Sequence, residues 1–137
     1  MNDWYEKEKL HFAAQENDLE QARSLIDKGF PINRFDDLGF TPLHYAAQNE
    51  NLEMAKLLIE SGAELNAHDE TQAGNTPLAE VAGTCSFEMA KILIEAGANP
   101  TIPGWMQLTA LNRAEKRQRG DGPRVYDLLL RTSKKYK

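Results

Sequence analysis

FTPLHYAAQNENLEMAKLLIESGA, residues 40–63, recurs in altered form along the whole chain. Leu10-His11-Phe12-Ala13-Ala14 starts one copy, and Thr41-Pro42-Leu43-His44-Tyr45-Ala46-Ala47 the next. Asn75-Thr76-Pro77-Leu78 starts a third, and Leu108-Thr109-Ala110-Leu111 a degenerate fourth. The key leucines Leu10, Leu43, Leu78 and Leu111 are therefore 33, 35 and 33 residues apart.

The second copy shows how a unit is built. Thr41 is a good helix N-cap, because its hydroxyl can accept from an otherwise unpaired backbone N–H. Pro42 follows at the first helical position, where its missing donor costs little. A first helix is expected to run to about Gln48. Asn49-Glu50-Asn51 turns the chain, and a second helix is expected over 52–60. Gly62 serves as a left-handed C-cap, and residues 63–74 form an extended finger loop. In the second helix Leu52, Ala55, Leu58 and Ile59 share one face. Leu19, Ala22, Leu25 and Ile26 match them in copy one; Phe87, Ala90, Leu93 and Ile94 match them in copy three. Gly29, Gly62 and Gly97 also align. No unit can bury its apolar face alone, so neighbours must stack.

The period and the T-P-L-H-x-A pattern resemble the ankyrin repeat. The resemblance covers nearly the whole chain and implies an all-α solenoid of stacked helix-turn-helix units with finger loops. Residues 1–137 are read as one domain, with repeats at about 4–35, 36–68, 69–103 and 104–137. The first copy lacks its Thr-Pro and begins from Glu8-Lys9-Leu10, with Trp4 and Tyr5 folding over the exposed end. The fourth breaks after Ala114. Arg117 to Pro123 is expected to be a loop, and residues 124–131 a last helix carrying Val125, Leu128, Leu129 and Leu130.

The 137-residue chain is 27% charged and 41% hydrophobic, which suits one globular domain. No apolar run approaches the roughly 18 residues of a membrane span. The N-terminus lacks the basic start and apolar core of a signal peptide, so a complete chain is expected in the cytoplasm. Cys85 is alone and cannot form an internal disulfide. Charge is divided unevenly. Residues 1–106 hold 18 acidic and 7 basic residues, residues 107–137 only 3 acidic and 9 basic. An acidic body repels nucleic acid and favours a basic partner.

No constellation for catalysis or metal binding is legible, so neither enzyme activity nor a cofactor is expected. The repeats hold His11 and His44 a full period apart, whereas a metal site needs ligands that converge. The resemblance implies instead that these histidines brace neighbouring loops. Ala79 and Asn112 stand at the matching places of copies three and four, which predicts looser bracing there. His68 is expected to be exposed on its loop. Cys85 has no base placed to activate it.

Partners of the family sit in the concavity formed by fingers and first helices. Carried over by position, this surface comprises Phe12, Gln15 and Glu16; Tyr45, Gln48 and Asn49; Glu80, Gly83 and Thr84; and Arg113, Lys116 and Arg117. Finger one adds Phe35, Asp36, Asp37, Leu38 and Phe40. Finger two, longer by two residues, adds His68, Asp69, Glu70, Thr71, Gln72, Ala73 and Gly74. Finger three adds Pro103, Gly104, Trp105, Met106 and Leu108. Phe40 and Leu108 are expected to pack beneath their fingers. Trp105 is either an interface anchor or a cap over the fourth copy. The expected function is a non-enzymatic protein-binding module, monomeric on its own, with a partner protein that is basic. A narrower alternative is a stoichiometric inhibitor, such as an immunity protein that blocks a toxin. Nucleic-acid contact through residues 113–137 is disfavoured by the acidic body.

Overall fold

Helices stacked in two layers make up the computed structural model, which describes residues 3–72 and 74–136. The side chain of Trp4, and the whole of Ala73, lie outside the described residues. A short α1 (Asp3–Lys7) leads into four helix pairs: α2 (Lys9–Glu16) and α3 (Leu19–Asp27), α4 (Pro42–Gln48) and α5 (Leu52–Glu60), α6 (Pro77–Val81) and α7 (Phe87–Glu95), α8 (Ala110–Glu115) and α9 (Gly122–Ser133). The inner layer runs α2, α4, α6, α8, each helix packed on the next; α3, α5, α7 and α9 form the outer layer. No helix among the described residues is long and apolar enough to cross a membrane.

Helix α5 covers the span expected from its sequence. Gly29, Gly62 and Gly97 all take positive φ, as left-handed caps require. The last helix departs from expectation. It begins at Gly122 instead of 124 and runs on to Ser133. Pro123 lies in its first turn, where a missing N–H is harmless. A Cβ on Gly122 would come within 2.5 Å of the Arg117 Cβ, so only glycine lets the helix start so near the preceding turn.

The core is one cluster threaded through all four copies, from Leu10 and Leu25 to Val125 and Leu129. Ala22, Ala55 and Ala90 are fully buried at one repeating position, where their small size lets the layers approach. Met54 and Met89 are buried too, although the facial pattern read from sequence passed over them. Their counterpart in copy one, Gln21, is exposed.

Asparagines stitch the copies along the loops. Asn33 donates to the Gly62 carbonyl at 3.1 Å and accepts from the Glu64 N–H at 2.8 Å. Asn66 repeats this one period on, donating to the Gly97 carbonyl and accepting from the Asn99 N–H. Asn99 turns back on its own chain and accepts from Thr101. On the turns, Asn51 donates to the Ala14 carbonyl, Glu50 accepts from the Ser86 N–H, and Asp121 from the Phe87 N–H. Apart from the Thr101 hydroxyl bond, each satisfies a backbone group that the turn geometry leaves over.

Candidate protein-binding surface

Finger one is a tight hairpin organised by Asp36. Its carboxylate accepts from the N–H groups of Leu38 and Phe40, at 3.0 and 2.9 Å, and its own N–H donates to the Phe40 carbonyl. The Tyr45 hydroxyl reaches up from α4 to the same carboxylate. Burial and that bond push the Tyr45 phenol well above its ordinary range. Gly39 completes the turn at φ +83°, and a Cβ added there would come 3.4 Å from the Asp69 Cβ on finger two. Asp37 and Leu38 are left at the tip, with Leu38 67% exposed. Phe40 lies half-buried against the rings of His44 and Tyr45, as its position suggests.

Finger two reuses the device. Asp69 accepts from the Thr71 N–H and hydroxyl, and the hydroxyl bond leads the effects that hold its carboxyl below the ordinary value. The two additional residues coil into a single 3-10 turn, Glu70–Gln72, whose side chains are all exposed. His68 is not simply exposed: it is half-buried, its Nδ1 bonded to the Asn66 carbonyl and its Nε2 3.4 Å from Glu70.

Finger three closes with Met106 and Gln107 both left-handed, at φ 58° and 60°, and the Leu108 N–H on the Trp105 carbonyl. That geometry suits Asn-Gly; for other side chains it costs about 1 kcal/mol or more per residue. Trp105 is 55% and Met106 67% exposed. Leu108 is 37% exposed, more open than Phe40 at the matching place of finger one.

The ties between copies confirm one expectation and revise another. His11 Nε2 lies 2.8 Å from the Arg34 carbonyl and 3.1 Å from that of Phe40, so this nitrogen carries the proton and braces finger one. His44 Nε2 does the same to the Asn75 carbonyl at 2.6 Å, while its Nδ1 accepts from the Thr41 N–H. Burial lowers the His44 pKa. Copy three, with Ala79, is not left loosely braced. The buried Asn75 replaces the histidine: its Oδ1 accepts from the Trp105 N–H at 3.0 Å and lies 3.4 Å from Arg113 Nη2, and its Nδ2 donates to Glu80 at 2.8 Å. A Cβ on Gly104 would fall 2.1 Å from that Oδ1, so the missing side chain is what admits the bond. In copy four Asn112 keeps only the local half of the histidine's role, accepting from the Thr109 N–H.

Phe12, Tyr45, Glu80 and Arg113 occupy one repeating position on the inner helices. Three of them reach to finger groups: Tyr45 to Asp36, Glu80 to Asn75, and Arg113 to the Trp105 carbonyl at 3.3 Å. Leu38, Phe40, Gln72, Asn75, Glu80, Trp105 and Arg113 thus line one groove between fingers one and three. Glu70 and Met106 line a neighbouring cleft with His68. Phe35 and Thr71 stand exposed outside both linings. Gln48 and Asn49 also lie outside them, and the Asn49 amide points back to the Gln15 carbonyl. Asn75 was not among the residues singled out from the sequence. A signal existed: it stands where the neighbouring copies have Phe40 and Leu108, a polar residue in an apolar register.

The family model described as "Ankyrin repeats (many copies)" matches residues 10–59, and "Ankyrin repeat" matches 73–105. The chain belongs to the ankyrin-repeat family. Ankyrin repeats mediate protein–protein interaction, and the family is typically a non-enzymatic binding module. No curated protein matches the chain. In this ankyrin stack Cys85 is buried, and burial raises its thiol pKa to about 11. Among the described residues no group of three or more His, Cys, Asp or Glu side chains is placed to hold a metal ion. Several basic groups of the last repeat are engaged internally: Arg117 with the Ala82 carbonyl, Arg124 over the Phe87 ring and near Asp121, Arg131 with Asp127.

Proposed function

We propose that this chain binds a partner protein through its finger tips and the groove between fingers one and three. The observation that carries this is the exposure of Leu38, Trp105 and Met106 on fingers that border that groove. Single exposed apolar residues are common, but neighbouring ones such as Trp105 and Met106 form the kind of patch that marks interaction sites, and tryptophan is enriched among interface hot spots. The rigid hydrogen bonding of each finger supports the reading, because a preorganised tip loses less entropy on binding.

A photo-crosslinking amino acid placed at residue 38 or 105 tests it. Crosslinks to a discrete protein are expected from both positions and not from residue 56 on the outer helix α5. Equal crosslinking from residue 56 would remove the fingers from the case. The narrower reading, a stoichiometric inhibitor of a basic partner, is supported only by the acidity of residues 1–106. Loss of the crosslinked partner's own activity at one-to-one stoichiometry would establish it.

A further inference from the structure

We infer that the groove takes a partner segment in which a lysine or arginine adjoins an aliphatic or aromatic anchor. This rests on the finger surface being the contact face. Glu80 lies half-buried in the groove with one oxygen bonded to Asn75 at 2.8 Å, and the other has no hydrogen-bond partner among the described residues. Arg113, on the same groove, makes no direct ion pair with it: the Arg113 Nη2 is directed to Asn75 and the Trp105 carbonyl, and its Nε is buried without a partner among the described residues. The groove therefore keeps an oriented carboxylate with unused acceptor capacity. A partner cation would supply the missing donor, and charge-assisted bonds of this kind are the stronger ones.

The surroundings agree. Fingers one and two carry Asp36, Asp37, Asp69 and Glu70 against Arg34. Residues 100–109, finger three, carry no charge. These acidic residues flank a groove lined on that side by Leu38, Phe40 and Gln72, with Trp105 on the other side and Met106 beside it. An anchor alone would leave the second Glu80 oxygen to water; a cation alone would leave the tryptophan in water. Only a segment with both satisfies the two sides.

The test uses the full chain as bait for displayed random peptides of about twelve residues. The most enriched peptide is then synthesised with a fluorophore, and its affinity is read by anisotropy. Enriched sequences are expected to place Lys or Arg next to Leu, Phe or Trp. Replacing that basic residue by glutamine should weaken binding about tenfold, and E80Q should weaken the original peptide as much while leaving the glutamine peptide unchanged. Trp105→Ala should weaken both peptides about thirtyfold. If Trp105→Ala and Leu38→Ala weaken binding but the basic residue has no effect, the finger surface stands and the cationic segment is overturned. Peptides indifferent to both variants would overturn the surface as well. Enrichment of acidic peptides, or of none, would also overturn the inference.

Discussion

Copies one and two tie themselves to the next finger with a histidine, whereas copy three does so with an asparagine from the preceding finger. The difference lies in what each tie holds. His11 and His44 donate to backbone carbonyls, so they fix the base of a finger and leave its tip to local turn chemistry. Asn75 accepts from the Trp105 N–H and bonds Glu80, so it fixes a tip and a groove carboxylate together. The first device serves stacking. The second couples stacking to presentation of a side chain.

The largest expected effect on this contrast comes from His44→Ala. It leaves the Thr41 N–H and the Asn75 carbonyl without partners in the core, and about 3 kcal/mol should be lost in urea denaturation. His44→Asn is the sharper comparison, since it imitates Asn112 and keeps the local bond; it should cost less than His44→Ala. Equal losses would mean that the reach to Asn75 carries all of the effect.

Gly104→Ala attacks the other tie. Its Cβ would meet Asn75 Oδ1, and about 2 kcal/mol should be lost through overpacking. Amide hydrogen exchange should show faster exchange in residues 104–108 than around finger one. Uniform acceleration across both fingers would contradict a separate tie for copy three.

A smaller effect is expected from pH. Burial holds His44 below its ordinary value of 6.5, against the opposing influence of the Asn75 carbonyl, Glu80 and Asp36. The unfolded chain then takes up its proton first, so stability is full above about pH 6.5 and falls as pH drops below it. The urea midpoint should decrease from about pH 7.5 to about pH 5, and His44→Asn should flatten part of that slope. An unchanged slope in the variant would assign the dependence to other groups.

The smallest effect should be a gain. Gln107→Gly relieves a left-handed residue and should stabilise by about 1 kcal/mol, read by thermal denaturation. Finger one already has its glycine in that conformation, at Gly39. No gain would mean that the turn of finger three is held without strain.

Much of the stack was legible because its logic is local. Threonine, proline and glycine at fixed offsets dictate where α4 and α5 begin and end, and the three aligned glycines dictate the caps. What escaped depends on neighbours. Met54 and Met89 are core while Gln21 at the same repeat position is exposed, a difference that the facial pattern within one helix does not show. Asn33 and Asn66 look like ordinary loop residues until the next copy's backbone arrives beside them. The early start of α9 depends on how near Arg117 comes to Gly122. At the candidate site, the fingers and the inner-helix position were readable from the repeat. Asn75 was visible only as a polar residue out of register, and the left-handed pair Met106-Gln107 in finger three was not legible because neither is a residue that favours that geometry.

Cys85 offers the stack an internal clock. Its sulfur sits in the turn between α6 and α7, sealed from water and reluctant to ionise near neutrality. A thiol reagent can reach it only when that turn opens. The labelling rate therefore counts how often the third unit breathes, and comparing that rate with and without a bound partner would report whether occupancy of the fingers is felt at the opposite end of the inner helices.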